Sequence, residues 1–218
     1  MKNISALYCT FYIVRHGETE WNVEGLLQGH SDSTLTEKGA NQAKFLGEKL
    51  KNIHFDAVFS SDSIRAVKTA EIITMEKNLA VTTTKLLRER AFGKFEGKKY
   101  SVFADELKDL LKEFEALPDN RKKSYKFPEV ESDEEIMGRF ITFLRETAVA
   151  YQNKTVLVVT HGGVMRALLV HLGYGTYAQI QPTSVKNGSY IKLESDGIDF
   201  FIKETKGVLK STLDKVEY

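Results

Sequence analysis

Two histidines, two arginines and a glutamate stand in this chain where short apolar runs stop. Phe11-Tyr12-Ile13-Val14 ends on Arg15-His16-Gly17-Glu18-Thr19, and Thr155-Val156-Leu157-Val158-Val159-Thr160 ends on His161-Gly162-Gly163. Between them, Asp56-Ala57-Val58-Phe59-Ser60 stops just ahead of Arg65. Short runs rich in β-branched and aromatic residues read as strands buried on both faces, the pattern of a parallel sheet. The carboxyl ends of such strands share one edge, which is where open α/β sheets bind ligands. Two imidazoles and two guanidiniums brought to one edge are costly to place together unless an anion sits between them. A phosphoryl group is the natural anion. Arginine offers planar, paired donors to its oxygens, and a helix opening near Gly162 adds backbone N–H groups and the positive end of its dipole.

Nearby cations lower the pKa of a histidine, so His16 is expected to stay neutral and nucleophilic at pH 7. A neutral imidazole can attack phosphorus and form a phosphohistidine, dividing one difficult displacement into two easier ones. The leaving alcohol needs a proton, and no metal is required if arginines carry the charge of the transition state. Glu89, set in a loop between Arg88 and Arg90, is the candidate acid, with Glu18 beside His16 as its competitor. His30, His54 and His171 read as structural or surface residues, His171 as a packing histidine on an apolar helix.

The elements that must position these groups follow in order. Residues 15–35 are polar and dotted with glycine, and read as a long loop. Thr36 caps a helix over 37–52, with Ala40, Ala43, Leu46 and Leu50 on its apolar face. Ser61, Asp62 and Ser63 are possible caps for a helix carrying Arg65, Val67, Ala70 and Ile73. Val81–Thr84 reads as a strand, residues 86–97 as an irregular loop, 100–117 as one helix and 118–128 as a loose basic connector. Ser132 caps a further helix, and residues 164–172 form the helix after His161, closed by Gly173. Strands at 189–193 and 198–203 flank Glu194-Ser195-Asp196-Gly197 as a hairpin. Alternating strands and helices ending in a hairpin predict a three-layer α/β fold. Its sheet is mostly parallel, with an antiparallel edge strand and helices on both faces.

With 218 residues, 42% hydrophobic and 28% charged, the chain suits one domain spanning 1–218, interrupted by a helical, lid-like insertion at about 98–130. Its 31 basic and 30 acidic residues nearly cancel, so no global field recruits nucleic acid or an anionic membrane. The expected partner is a small phosphorylated metabolite bound locally, and oligomeric state leaves no mark in the sequence. The lone Cys9 suits a reducing compartment, and the N-terminus shows no cleavage pattern, so a cytoplasmic location is expected. No stretch approaches the roughly 20 apolar residues of a membrane-spanning helix.

Arg15-His16-Gly17-Glu18-Thr19-Glu20-Trp21-Asn22 resembles the signature of the histidine phosphatase superfamily, phosphoglycerate mutase-like branch. Also similar, and in the family's order, are Gln28-Gly29, Leu35-Thr36-Glu37-Lys38-Gly39, Ser60-Ser61-Asp62-Ser63-Ile64-Arg65-Ala66, Leu87-Arg88-Glu89-Arg90 and Thr160-His161-Gly162-Gly163. The resemblance implies that His16 is the phosphorylated nucleophile, that Arg15, Arg65 and His161 surround the phosphate, and that Asn22 also contacts it. It places Gln28 and Gly29 at the mouth near the rest of the substrate, Gly162 at the phosphate, and Glu89 at the proton donor's position. It implies no metal and no cofactor. Mutases of the family carry a long insertion with an arginine pair after the acid, an asparagine at the position of Gly163 and a binding lysine at that of Tyr100. Here His161 follows Glu89 by only 72 positions (161 − 89), with no adjacent arginines between them. A phosphatase of the broad-specificity or fructose-2,6-bisphosphatase-like type is therefore expected. A cofactor-dependent phosphoglycerate mutase comes second and a non-catalytic phosphate-binding module third.

Overall fold

The computed structural model describes residues 7–212, so readings that fall on residues 1–6 and on the tail beyond 212 lie outside it. In chain order the elements are β1 (Cys9–Arg15), α1 (Glu20–Glu24), α2 (Glu37–Lys49), β2 (Ala57–Ser61), α3 (Ile64–Thr74), β3 (Val81–Thr84), α4 (Tyr100–Glu106), α5 (Lys108–Ala116), α6 (Asp119–Lys122), α7 (Asp133–Ala150), β4 (Thr155–Thr160), α8 (Gly162–His171), β5 (Val185–Ser195) and β6 (Phe200–Val208). One six-stranded sheet runs in the order β3-β2-β4-β1-β5-β6. The strands β3, β2, β4 and β1 are parallel, and β5 and β6 add an antiparallel hairpin at the β1 side.

The alternation of side chains along β1 divides the core. Cys9, Phe11 and Ile13 pack with α7 and α8 on one face, while Tyr12 and Val14 pack with α2 and α3 on the other. The segments after β1 and β4 therefore leave the sheet toward opposite faces, and the crevice between two such neighbours is where this kind of sheet takes a ligand. Register brings the ends level. Arg15 lies opposite Thr160, Ser60 opposite Val159, and the His16 amide donates to Thr160 O at 3.1 Å, one step beyond the ladder. Among the described residues no helix is long and apolar enough to cross a membrane.

Several local expectations are corrected. The loop 15–35 contains α1, because Thr19 and Asn22 form a reciprocal cap and Gly25, at φ 70°, closes the turn. The single helix expected at 100–117 breaks at Leu107, whose buried side chain joins Phe95, Phe103 and Val130 in a small separate core. The connector at 118–128 is partly ordered, since it holds α6 and sets Tyr125 and Phe127 against Phe114. Ser63 occupies the N-cap position of α3 without a side-chain bond, and Asp32 caps the helix instead, accepting from the Ile64 and Arg65 amides. The helix after β4 begins at Gly162 rather than at 164, and both hairpin strands run longer than their apolar cores. His171, expected to pack, is exposed at the end of α8.

The loop between β1 and α1 crosses the start of α2 at a contact that only glycine permits. A Cβ on Gly17 would lie 2.4 Å from Gly39 O, and one on Gly39 would lie 2.0 Å from Glu18 O. Both neighbours are backbone and have no room to yield. Gly138, midway along α7, is the opposite case, since a Cβ there meets nothing within 4 Å. Gly39→Ala is expected to lower stability by about 1–3 kcal/mol, as overpacking does. Gly138→Ala is expected to raise it by about 0.5–1 kcal/mol. Urea unfolding of the two variants beside the parent chain checks both signs.

Candidate active site

His16 and His161 meet at the ends of β1 and β4, ring centroids 5.2 Å apart and planes inclined at 63°. They are 3% and 0% exposed, so neither ring is bathed in water. The His16 Nδ1 lies 2.7 Å from Gly17 O, an acceptor, which places the ring proton on Nδ1 and leaves the Nε2 lone pair free. Burial first, then the guanidiniums of Arg65 and Arg15, hold His16 well below its ordinary pKa of 6.5, against the opposing pull of the bond to Gly17. Burial, then Arg65, His16, Arg139 and Arg15, do the same to His161. Ser63 Oγ lies 3.5 Å from His161 Nε2.

Backbone carbonyls hold both arginines, and the Asp32 carboxylate also pairs with Arg65. Arg65, 1% exposed, donates to Gly29 O at 2.8 Å, Ser31 O at 2.7 Å and Asp32 Oδ1 at 2.9 Å. Arg15 donates to Val185 O, and its guanidinium lies against Gly162, where a Cβ would sit 3.0 Å from its Nε. The Nε atoms of Arg15 and Arg65 and Nδ1 of His161 are buried without a partner. Buried donors of this kind call for an acceptor, and the one that serves two guanidiniums and an imidazole together is an oxyanion.

Glu89 reaches the same place from the irregular loop after β3. Its Oε2 accepts from the Gly163 amide at 2.9 Å, in the first turn of α8, and its Oε1 from the Arg90 amide at 2.8 Å. The competing carboxyl, Glu18, is turned away. It accepts from Lys38 at 2.8 Å and from Thr36 at 3.1 Å, and the Lys38 bond in particular keeps it below the usual carboxylate range. Asn22 stands in the first turn of α1, its Oδ1 accepting from Thr19 N at 3.2 Å and from Asn187 at 3.2 Å. Gln28 is buried, its Nε2 donating to Thr19 Oγ1 at 2.8 Å, while Gly29 contributes its carbonyl to Arg65.

Sequence reasoning passed over several residues of this neighbourhood. Asn187, at the start of β5, donates to His16 O at 3.1 Å and ties the backbone of His16 to Asn22. Asp32 holds both Arg65 and the start of α3. His30, read as structural, brings its Nε2 to 3.1 Å from Glu89 O. Glu96 accepts from the His30, Ser31 and Phe92 amides, joining the two loops that wall the site. None of these lies in an amphipathic or strand pattern, and each acts on a partner that is distant in sequence. No periodic signal marks them.

Together, a mostly parallel α/β sheet, a buried imidazole with its Nε2 free, the buried Arg65 and the half-buried Arg15 make a site suited to an oxyanion. The comparisons agree. The model of the histidine phosphatase superfamily (branch 1) matches residues 11–206, and the chain belongs to that family. It is 34% identical over 182 residues to the uncharacterized phosphatase PhoE of Bacillus subtilis (strain 168), covering 84% of this chain and 86% of the relative. It is 36% identical over 163 residues to phosphoglycerate mutase-like protein 4 of Arabidopsis thaliana, covering 74% and 70%. The solved structure of Bacillus stearothermophilus YhfR superposes with a TM-score of 0.80 at 30% identity, over 92% of this chain and 98% of that one.

Neutral, buried histidines make stability depend on pH with a definite sign. Below pH 6.5 the unfolded chain binds protons on His16 and His161 that the folded chain refuses, so acid favours unfolding. Their contribution is present above pH 6.5 and is lost as pH falls, by about 1.4 kcal/mol per pH unit for each histidine. Urea midpoints between pH 7.5 and 5 are expected to fall more steeply for the parent chain than for His16→Asn. Equal slopes would contradict the burial of a neutral ring.

Proposed function

We propose that this protein is a metal-independent phosphatase that hydrolyses small phosphomonoesters through a phosphohistidine on His16. The observation that carries the reading is the orientation of His16, with Nδ1 against Gly17 O and Nε2 free, close to the half-buried Arg15, the buried Arg65 and the ring of His161. Nε2 attacks phosphorus in line with the ester oxygen, the P–O bond to the alcohol breaks, and the carboxyl of Glu89 delivers the proton that the alcohol needs. Water then attacks the phosphohistidine with Glu89 as base, and inorganic phosphate leaves as His16 recovers its lone pair. Arg15, Arg65 and His161 hold the phosphoryl oxygens throughout and offset the charge that develops on them. Asn22 adds a polar contact on the α1 side. Gln28, whose Nε2 is engaged with Thr19 while its Oε1 has no partner, supports the loop that carries Gly29.

Phosphatase activity is favoured over phosphoryl transfer within a substrate by Gly163. A Cβ at that position would lie 2.4 Å from Glu89 Oε1, so the acid occupies the room a larger residue would take. The short interval from Glu89 to His161 points the same way. The mutase-like name of the plant relative keeps phosphoglycerate isomerisation as a second reading. Supplying 3-phosphoglycerate with 2,3-bisphosphoglycerate separates the two, since a phosphatase releases inorganic phosphate and a mutase yields the isomer.

Turnover of p-nitrophenyl phosphate is expected to persist in EDTA and to fall by roughly a thousandfold or more in His16→Ala. Rapid quenching of the parent chain with labelled substrate is expected to trap protein-bound phosphate that is labile in acid and stable in alkali. Activity that survives the substitution, or that EDTA removes, overturns the reading.

A further inference from the structure

The loop that presents Glu89 belongs to no strand ladder, yet its four carbonyls from Leu86 to Glu89 are all taken. Leu87 O accepts from Thr160 Oγ1 at 2.8 Å, while Leu86 O, Arg88 O and Glu89 O accept from one side chain, Arg139 of α7, at 2.9, 2.6 and 3.0 Å. The rest of that guanidinium grips Glu131, Nε to Oε1 at 2.8 Å and NH2 to Oε2 at 2.9 Å. A guanidinium has five N–H donors in a rigid plane, and here all five are engaged. Buried carbonyls outside regular structure must find donors, so this fork stands in for the neighbouring strand that the loop lacks.

The side chains on either side of Glu89 are anchored as well. Arg88 makes two bonds of 2.7 Å to Asp62, and Arg90 donates to Glu131 O at 2.6 Å and to Asp133. Glu131 also accepts from the Ala91 amide at 3.2 Å, which closes the clamp around the loop. Arg139 itself reaches only the backbone of Glu89, on the side away from its carboxyl's bonds to the Gly163 and Arg90 amides.

We infer that Arg139, held by Glu131, is the positioning residue for proton transfer by Glu89: it fixes the backbone from which the carboxyl reaches the leaving oxygen. The inference rests on the reading of Glu89 as proton donor. Misplacement by about 1 Å costs on the order of a hundredfold where geometry carries catalysis. Lysine is no substitute, since one ammonium cannot hold three carbonyls and two carboxylate oxygens in a plane.

The test uses the leaving group. p-Nitrophenolate departs without a proton, whereas an alkoxide does not, so kcat/KM for p-nitrophenyl phosphate and for glycerol 3-phosphate reports the acid separately from the rest of the site. Arg139→Gln and Arg139→Lys are expected to lose at least about tenfold on glycerol 3-phosphate and less than about threefold on p-nitrophenyl phosphate. Glu89→Gln is expected to show the same discrimination, and adding Arg139→Lys to it should cost little more, because the two act as one unit. Should Arg139→Gln fail to fold, Arg139→Lys and Glu131→Gln carry the same comparison. Equal losses on both substrates, or losses that multiply in the double variant, overturn the role of Arg139. If Glu89→Gln itself fails to discriminate, it is the assignment of the acid that falls.

Discussion

The buried His16, His161 and Arg65 and the half-buried Arg15 crowd together at the carboxyl ends of β1 and β4 and the start of α3, and everything around them answers to that constraint. His16 and His161 respond by staying neutral, because burial and the neighbouring guanidiniums both oppose protonation. Arginine has no such outlet, so Arg15 and Arg65 keep their charge and are steadied by backbone oxygens of Gly29, Ser31 and Val185 and by the Asp32 carboxylate. Carbonyls satisfy N–H groups without cancelling the charge. Asp32 offsets part of the charge on Arg65, while the carbonyl on Arg15 leaves that charge uncancelled.

Holding that cluster in place falls to chain that has little regular structure. The walls are the loops around residues 28–35 and 86–92, whose backbone groups find side-chain rather than ladder partners. Glu96 gathers the amides of His30, Ser31 and Phe92, Asp32 takes the first amides of α3, and Arg139 takes three carbonyls of the loop that carries Glu89. A charged side chain binding backbone makes stronger and more directional contacts than neutral groups do. Such loops can be as fixed as strands while keeping the irregular paths that bring Gly29 O to Arg65 and Glu89 to Gly163.

Close approach is the other device. Gly17 and Gly39 let the β1–α1 turn lie directly on the start of α2, Gly162 leaves room for the Arg15 guanidinium, and Gly163 leaves room for the Glu89 carboxyl. Each removes a Cβ at a point where functional or backbone atoms must pass. The glycines of the two histidine motifs are thus part of the geometry of the site, beyond any need for a tight turn.

The sheet, and the meeting of His16, Arg15, Arg65, His161 and Glu89 at one edge of it, were legible in the amino-acid sequence. Apolar runs that stop on Arg15-His16 and His161 announce buried parallel strands and where they end, because strand burial writes a continuous hydrophobic pattern. The strong helices and the antiparallel hairpin were legible for similar reasons, since periodicity and turn chemistry are local. What the sequence left open was decided by contacts between distant residues. Glu89 was preferred over Glu18 from its loop context alone, and only the fold shows Glu18 bonded to Lys38 and Thr36 and Glu89 to the Gly163 amide. The break at Leu107, the helix at Glu20–Glu24 and the anchoring of Asn187, Asp32 and Arg139 likewise depend on partners brought near only by folding. A residue's type limits the bonds it can make, but the tertiary structure alone determines which of them it makes, because only there are the competing partners within reach.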